Sequence, residues 1–212
     1  MKIRWYGHAC FLITTISGLR ILTDPFDETV GYNLPGISPD IVTVSHDHFD
    51  HNAVDLLSGD FDLIRTPGPH QVRGLTIQGL ATYHDDVHGT KRGDNIVYTI
   101  EADGLRVTHL GDLGHTLSAS QIMALRPINV LLVPVGGFYT INALEAKEVV
   151  QAINPDVIIP MHYKTPVISF PIAAVDDFLT VMGGGKRLQA TTVQISATHL
   201  PPHGSIIVLD HV

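Results

Sequence analysis

The stretch that decides the fold is Ile41-Val42-Thr43-Val44-Ser45, which runs directly into His46-Asp47-His48-Phe49-Asp50-His51. Its first half is a continuous apolar run with a bias toward β-branched residues, a pattern typical of a strand buried on both faces. Three histidines and two aspartates follow within six residues. Neutral imidazoles and carboxylates are the ligands that Zn²⁺ and similar ions take in proteins. The stretch therefore predicts a metal site at the end of a buried strand.

The spacing of these ligands favours two metal ions over one. A loop this short cannot wrap all of its ligands around a single ion. The alternate residues His46 and His48 can share one ion, while Asp50 and His51 turn toward a second. The alternative interpretation is a polar, solvated helix start, and it is disfavoured because such segments seldom need three histidines at this spacing.

The composition indicates a folded, acidic protein with a sizeable core. The chain has 212 residues, of which 44% are hydrophobic and 16% charged, so we expect one domain over residues 1–212. The 13 Lys and Arg residues against 21 Asp and Glu residues leave a net charge of -8, without a basic run. This balance argues against a nucleic-acid partner. The single cysteine, Cys10, excludes an intrachain disulfide.

The distribution of apolar residues argues against a membrane protein. The first residues, MKIRWYGHACFLITT, do not resemble a signal peptide, because their apolar stretch is short and interrupted and no cleavage-like site follows. No segment reaches the roughly 18 apolar residues of a membrane span. We therefore expect no membrane association and a cytoplasmic location.

The order of predicted elements indicates two β-sheets face to face with helices outside. The predicted strands cover residues 2–6, 10–16, 19–23, 41–45, 61–65, 75–83, 95–101, 105–110, 129–133, 156–160 and 204–209. The predicted helices cover residues 53–57, 118–125, 143–153 and 172–182, with Asn52 and Asn142 as caps of the first and third. Strands come first along the chain, and strand–helix–strand units follow.

The pattern His-x-His-x-Asp-His after a hydrophobic strand resembles the signature of the metallo-β-lactamase superfamily. The likeness extends along nearly the whole chain. Four further short segments resemble those of the family, and they contain Asp24, His84, Asp112 and His162. Within the superfamily, the chain most resembles the small bacterial metal-dependent hydrolases related to ascorbate-phosphate lactonase. The segments that carry this closer resemblance are Gly7-His8, Pro134-Val135-Gly136-Gly137 and His162-Tyr163-Lys164-Thr165.

The resemblance implies an α/β fold, a four-layer αββα sandwich with two metal ions at one edge. It implies a first metal site formed by His46, His48 and His84. It implies a second site formed by Asp50, His51 and His162, with Asp112 bridging the two and Asp24 supporting the metal loop. Independently of the resemblance, each ligand-bearing segment follows a predicted strand, and strand ends are where open α/β structures place their sites.

The function that follows from this arrangement is metal-dependent hydrolysis of a small ester, lactone or phosphodiester. Two divalent ions lower the pKa of a water between them from ~15.7 to about 7, so a metal-bound hydroxide is the expected nucleophile. Asp50 would orient that hydroxide as the catalytic carboxylate. The positive site favours an anionic group on a small-molecule substrate. Zinc is the expected ion, although imidazole and carboxylate ligands also accept Mn²⁺, Fe²⁺ and Ni²⁺.

Three other functions are compatible with this fold. A nuclease or RNA-processing hydrolase is disfavoured by the acidic charge balance and by the absence of a basic arm. An iron redox enzyme is disfavoured because the di-iron oxidoreductases that the chain resembles carry a glutamate where this chain has His48. A non-catalytic metal-binding or ligand-sensing protein is the third, since fold and ligands do not determine turnover. The sequence leaves the substrate and the oligomeric state open.

His84 is preferred to His88 and His109 as the ligand that completes the first site. His109 and Asp112 are three residues apart, so in an extended strand their backbones would be about 10 Å apart at ~3.3 Å per residue, with side chains on opposite faces. Both cannot easily reach one ion. His109 is therefore assigned a supporting or packing role, whereas His88 and His115 lie in loops from which they could touch substrate.

His8, Tyr163 and Lys164 are the predicted substrate contacts. The resemblance places His8 near the active site, as a supporting residue or a substrate contact, although a hydrogen-bonded structural histidine is an equal alternative. Tyr163 and Lys164 directly follow a predicted ligand and could contact an oxyanion or phosphate, or could be a solvated pair. The adjacent residues Lys91 and Arg92 could likewise bind an anionic group or simply be solvated.

Overall fold

The computed structural model describes residues 1–212 and contains fourteen strands and three α-helices. The strands are β1 (Lys2–Gly7), β2 (Cys10–Thr14), β3 (Arg20–Thr23), β4 (Ile41–Thr43), β5 (Asp62–Ile64), β6 (Gly68–Val72), β7 (Leu75–Tyr83), β8 (Asp94–Ala102), β9 (Leu105–His109), β10 (Val130–Pro134), β11 (Val157–Met161), β12 (Lys186–Arg187), β13 (Thr192–Gln194) and β14 (Ser205–Val208). The helices are α1 (Ala119–Leu125), α2 (Ala143–Ile153) and α3 (Val175–Met182), and two short 3₁₀ turns cover Glu28–Val30 and Val54–Leu56.

The strands form two sheets. The six-stranded sheet has the order β13-β1-β2-β3-β4-β5, and the eight-stranded sheet has the order β12-β14-β11-β10-β9-β8-β7-β6. Strands β3, β4 and β5 run parallel in the first sheet, and β9, β10, β11 and β14 run parallel in the second. Because parallel strands end on the same edge of a sheet, the segments that follow β9 and β11 lie at one edge of the eight-stranded sheet. The segment that follows β4 joins that sheet through a hydrogen bond of 2.9 Å from the Ile96 N–H of β8 to the Ser45 carbonyl.

The two faces of the six-stranded sheet bury different sets of side chains. Along β2, Phe11 and Ile13 belong to the main core of 43 buried residues, which also takes in the eight-stranded sheet. Cys10 alternates onto the other face, where it joins a second cluster of eleven buried residues. Phe26 and Tyr32, from the segment between β3 and β4, cover that outer face. The alternation is the expected consequence of the two-residue period of a strand.

The predicted αββα class is confirmed by the two sheets and the helices packed on them. Helix α2 lies against β10 and contacts both α1 and α3. The predicted cap of α2 is also confirmed. Asn142 Oδ1 accepts hydrogen bonds from the backbone N–H groups of Leu144 and Glu145, and the Glu145 carboxylate accepts one from the Asn142 N–H. This reciprocal pair satisfies backbone donors that a helix start would otherwise leave unpaired.

Two predicted helices differ from those observed. The segment 53–57 forms only the 3₁₀ turn Val54–Leu56, and Asn52 does not cap it because its side-chain amide donates to Asp47. Helix α3 begins at Val175 rather than at residue 172. The backbone of Ala173 is already engaged there, with its N–H on Gly136 and its carbonyl on Lys164.

Three short strands were not predicted, namely β6, β12 and β13. Strand β6 begins Gly68-Pro69, residues that usually mark a turn. It lies at the edge of the eight-stranded sheet, where a proline without an N–H is tolerated. No helix of the structure combines the length and the apolar character needed to cross a membrane.

Candidate metal centre

The carboxylate of Asp112, just after β9, lies at the centre of a cluster of imidazoles. Its Oδ2 atom is 3.2 Å from Nε2 of His162 and 3.3 Å from Nε2 of both His51 and His84. Nε2 of His46 is 4.0 Å from the same oxygen. Four ring nitrogens therefore converge on one buried carboxylate oxygen, which is the arrangement expected of a carboxylate that bridges cations.

The structure brings together all seven residues predicted as metal ligands, in two groups on either side of Asp112. In each group the potential ligand atoms lie within 4.8 Å of one another. The first group is His46, His48 and His84, and the second is Asp50, His51 and His162 together with His8. His48 is the exposed member of the first group, at the entrance to the site.

The residues of this cluster fit divalent cations. Buried Nε2 atoms of His46 and His51 and Oδ1 of Asp112 have no hydrogen-bond partner. Leaving a buried polar atom unpaired costs about 1–3 kcal/mol, and bound cations would remove that cost. Burial lowers the pKa of His46 to about 3, so its imidazole is neutral and can ligate. Burial would raise the pKa of Asp112, but His162 and His51 outweigh it and hold the pKa well below its usual value.

Asp24 orients two of the imidazoles from behind. Its Oδ2 lies 3.0 Å from Nδ1 of His51 and accepts the hydroxyl of Ser45 at 2.6 Å, while its Oδ1 accepts the Ser45 backbone N–H at 2.8 Å. The Ser45 hydroxyl is in turn 2.9 Å from Nδ1 of His46. With both Nδ1 atoms held from behind, the Nε2 atoms face Asp112 and are the ones that can ligate. Burial would lower the pKa of His51, but Asp112 and Asp24 outweigh it and raise the pKa well above its usual value, so a bound cation would displace the Nε2 proton. Although Asp24 is close enough to His46 and His51 to be a ligand, both of its oxygens are already engaged, so we assign it a supporting role.

The backbone after β9 is shaped by Gly111 and Asn95. Gly111 has a φ of +56°, and a Cβ atom there would lie 2.3 Å from Asn95 Oδ1. That oxygen accepts the backbone N–H of Asp112 at 2.9 Å, and the Asn95 amide donates to Thr82 and to the carbonyl of Leu110. Asn95 was not identified from the sequence. Its only signal was a polar residue at the start of a predicted strand, which also fits a solvated strand end.

Of the two positions expected for His8 near the active site, the structure has the supporting one, against Asp50. Its side chain is fully buried, Nε2 lies 3.0 Å from Asp50 Oδ2, and its ring centroid is 4.1 Å from that of His162. Burial lowers the pKa of His8 to about 4, so the ring is neutral, and its Nε2–H donates a hydrogen bond to Asp50. His8 therefore holds one oxygen of Asp50 in place.

Tyr163 and Lys164 also point away from the entrance of the site, which corrects their predicted role. The Tyr163 hydroxyl is buried and donates to the carbonyl of Leu209 at 3.4 Å. The Lys164 ammonium donates to the carbonyls of Ile168 and Phe170, at 2.6 and 2.9 Å. Lys164 thus fixes the loop that follows it through two hydrogen bonds. Phe170 of this loop, rather than Lys164, lines the cleft.

The choice of His84 over its two rivals agrees with their placement. Buried His109 directs Nε2 to the carbonyl of Ala9 at 2.8 Å, and its Nδ1 accepts the N–H of Gly111. His88 packs edge-on against Tyr83, with ring centroids 5.4 Å apart. His115 is likewise outside the cluster, with its Nε2 accepting the Tyr83 backbone N–H. Only His84 of these histidines lies beside Asp112.

A cleft of about 450 Å³ opens onto the cluster. Asp50, His84, Asp112 and His162 of the cluster line it, together with His48. The residues around its mouth are Phe49, Lys91, Arg92, Tyr139 and Phe170. A second cleft of about 630 Å³ adjoins the first and shares Asp47, His48 and Arg92 with it.

The chain is similar to known proteins over most of its length. The family model described as beta-lactamase superfamily domain matches residues 2–162, which include all seven clustered residues. A metal-dependent hydrolase from Thermoplasma acidophilum is 31% identical over 191 residues, covering 78% of this chain and 84% of the relative. A solved structure from Thermotoga maritima, of a candidate Zn-dependent hydrolase of the metallo-β-lactamase superfamily, is 41% identical, covers 100% of this chain and 99% of its own, and has a TM-score of 0.84. A metallo hydrolase from Ignicoccus hospitalis, 23% identical with a TM-score of 0.65, shares the fold.

Proposed function

Because the chain belongs to the metallo-β-lactamase superfamily, we propose that it is a metal-dependent hydrolase with a dinuclear centre, acting on a small ester, lactone or phosphodiester. One observation carries the proposal: Asp112 lies between two separate groups of potential ligands, each large enough to hold one ion. Zinc is the expected metal, because neutral imidazoles dominate the donor set and Zn²⁺ binds them well.

The contacts of the residues indicate which of them would hold each ion. His46, His48 and His84 would hold one ion, and Asp50, His51 and His162 the other, with Asp112 shared between them. Bound ions would supply a water of lowered pKa and a Lewis acid for the attacked carbonyl or phosphoryl oxygen. Asp24 and Ser45 hold the two buried imidazoles so that their Nε2 atoms can ligate.

Asp50 is the residue we assign to the nucleophilic water. Its Oδ2 accepts a hydrogen bond from His8 Nε2, whereas its Oδ1 accepts no hydrogen bond from the chain. Burial would raise the pKa of Asp50, but His8 and His51 outweigh it, so the pKa lies below its usual value. The ionised Oδ1 can therefore orient a water in the cleft and accept its proton. His8 is the positioning residue for this carboxylate.

The metal stoichiometry tests the dinuclear centre without reference to turnover. Elemental analysis of protein purified without chelator is expected to give close to two divalent ions per chain. Asp112→Ala should lose much of this metal, because the two cations would then lack the carboxylate between them. Asp177→Ala, which removes an exposed carboxylate on α3, should retain it. A fully loaded protein that saturates at one ion would contradict the proposal.

A substrate screen tests the hydrolase itself. Lactones, thioesters, phosphodiesters and single-stranded RNA are offered to protein reconstituted with Zn²⁺, Mn²⁺, Fe²⁺ or Ni²⁺. We expect turnover in one of the small-molecule classes and its loss in Asp112→Ala. Turnover of RNA alone would indicate a nuclease. Full metal loading with no turnover in any class would favour a non-catalytic binding protein instead.

A further inference from the structure

Arg92 is a cation without an acidic partner at the mouth of the metal cleft. None of the ion pairs of the chain includes it, although the chain carries 21 acidic residues. Its Nη2 donates to the carbonyl of Phe138 at 2.9 Å, and its guanidinium lies 5.7 Å from the ring centroid of Tyr139. Neighbouring Lys91, by contrast, is paired with Asp86 at 3.4 Å. Arg92 is therefore held in place by neutral groups, with no carboxylate oxygen within 4.0 Å of its guanidinium.

The loop that carries Arg92 is organised by one buried carboxylate. Asp85 accepts four backbone N–H groups, from Val87, Gly89, Lys91 and Arg92, at 2.8 to 2.9 Å. Because His84 immediately precedes Asp85, the same loop joins a metal ligand to Arg92. The position of the arginine relative to the cluster is thereby restricted.

The second support of Arg92 is backbone in an uncommon conformation. Phe138 has a φ of +63°, which is unfavourable for a residue with a bulky side chain, and its side chain is 62% exposed. Such strain persists where the surroundings over-determine it, and it clusters at functional sites. Here it directs the Phe138 carbonyl to the guanidinium of Arg92.

An aromatic wall leads from Arg92 to the metal cluster. The ring centroid of Tyr139, beneath the guanidinium, is 6.0 Å from that of Phe170. The Phe170 centroid is in turn 5.7 Å from that of His8, behind the cluster. Phe49, which is 59% exposed, also lines the cleft. An apolar portion of a bound molecule can lie between these rings, with one end at the metals and the other at Arg92.

We propose that Arg92 anchors a carboxylate of the substrate, so that the substrate class is a small ester or lactone with an apolar body and a carboxylate remote from the bond that is cleaved. A guanidinium with one nitrogen occupied still offers an edge of N–H donors, which matches the planar carboxylate. A phosphate dianion would call for donors on more sides than this one guanidinium edge offers, and the ammonium of Lys91 lies on Asp86, 3.4 Å away. The cleavage of an ester or lactone in this inference rests on the proposed hydrolase function. The preference for a substrate carboxylate rests on Arg92 alone.

Matched esters test the selectivity. The 4-nitrophenyl esters of butyric acid, succinic acid and 3-phosphonopropionic acid share one leaving group and differ in the terminal methyl, carboxylate or phosphonate. For the metal-loaded protein, we expect kcat/KM of the succinyl ester to exceed that of the butyryl ester by about tenfold to a hundredfold, the range for hydrogen bonds to charged groups. Arg92→Gln should bring this ratio close to one, and Arg92→Lys should restore only part of it. A phosphonate preferred over the carboxylate would overturn the proposal.

Arg126→Gln is the matched control, since it removes an exposed arginine that has no ion pair. Arg126 precedes β10, at the edge of the sheet opposite the metal cluster, and its loss should leave the ester ratio unchanged. An equal loss of the ratio in Arg126→Gln would mean that net charge, not Arg92, sets the preference. That result would also overturn the proposal.

Calorimetric binding of stable analogues separates this inference from the hydrolase function. Succinanilic acid and butyranilide replace the ester by an amide and keep the same terminal groups. Tighter binding of the acid, lost in Arg92→Gln but not in Arg126→Gln, would support the carboxylate anchor even if no ester were hydrolysed. Hydrolysis of all three esters at similar kcat/KM, with no preference for the acid in binding, would refute the anchor while leaving the hydrolase intact.

Discussion

At the scale of single residues, the role of each histidine depends on which of its ring nitrogens the protein has already engaged. His109 uses both nitrogens on backbone groups and has none left for a metal. His46 and His51 have Nδ1 engaged and Nε2 without a partner. His84 has Nε2 directed at Asp112. With both ring nitrogens engaged, His109 is thus excluded as a ligand, whereas each of the other three keeps a nitrogen that faces the cluster.

This distinction gives a prediction for His84. We expect His84→Ala to lose about one metal ion per chain, because the first group then retains only two imidazoles. His88→Ala and His109→Ala should retain both ions, since neither ring reaches the cluster. Elemental analysis of the three variants, with circular dichroism to verify folding, makes the comparison. Full occupancy in His84→Ala together with loss in either of the others would refute the assignment.

A second prediction at this scale concerns Asp24, which touches no proposed metal position. Asp24→Asn keeps the shape of the side chain but cannot accept from both His51 and Ser45 as the carboxylate does. Loss of such a supporting partner typically weakens metal binding 10–100-fold. Competition titration against a chelator should show a drop of about that size. Unchanged affinity would mean that the imidazoles are oriented by packing alone.

At the scale of elements, the turn after β9 depends on one glycine. Gly111→Ala would place a methyl group against Asn95 and adopt an unfavourable φ, so we expect Asp112 to be displaced. Metal content should fall together with thermal stability. Gly36→Ala is the matched control, because a Cβ there meets nothing within 4 Å and its φ is ordinary. Equal behaviour of the two variants would argue against a special role for this turn.

The cap of α2 is an element-scale feature that lies outside the metal cluster. Asn142→Ala removes two hydrogen bonds at the helix start and is expected to lower the free energy of unfolding by about 1 kcal/mol. Asn142→Asp keeps an acceptor and should lose little. Urea denaturation measures both, and metal content should be unchanged in each. A loss near zero for Asn142→Ala would show that packing of α2 on β10 determines the helix start.

At the scale of the whole molecule, the core does not depend on the metal cluster. The main core contains 43 buried residues contributed by both sheets and the helices, whereas the cluster lies at one edge. We therefore expect removal of metal to lower the melting temperature and to leave a single cooperative transition. Calorimetry with and without chelator tests this expectation. A broad, non-cooperative transition in the metal-free protein would mean that the cluster is needed for folding.

The sequence by itself determined eleven of the fourteen strands, the cap of α2 and the ligand loop of this protein. Strand β7 and helix α2 have the predicted bounds, because two-residue and 3.6-residue periods report which side of an element is buried. The grouping of His46 with His48, and of Asp50 with His51, also depends on residues only a few positions apart. Such features are set by local geometry, which spacing along the chain describes well.

Only the tertiary structure decided which polar groups found partners. His8 reaches Asp50 across 42 positions and His109 reaches Ala9 across 100, and these contacts remove both histidines from the set of substrate contacts and ligands. Lys164 and Arg92 were similar candidates in the sequence. Yet one is bound by backbone carbonyls and the other lies beside the metal cleft without a carboxylate partner. The physical reason is that pairing and burial depend on what folding brings alongside a residue, which spacing along the chain does not specify.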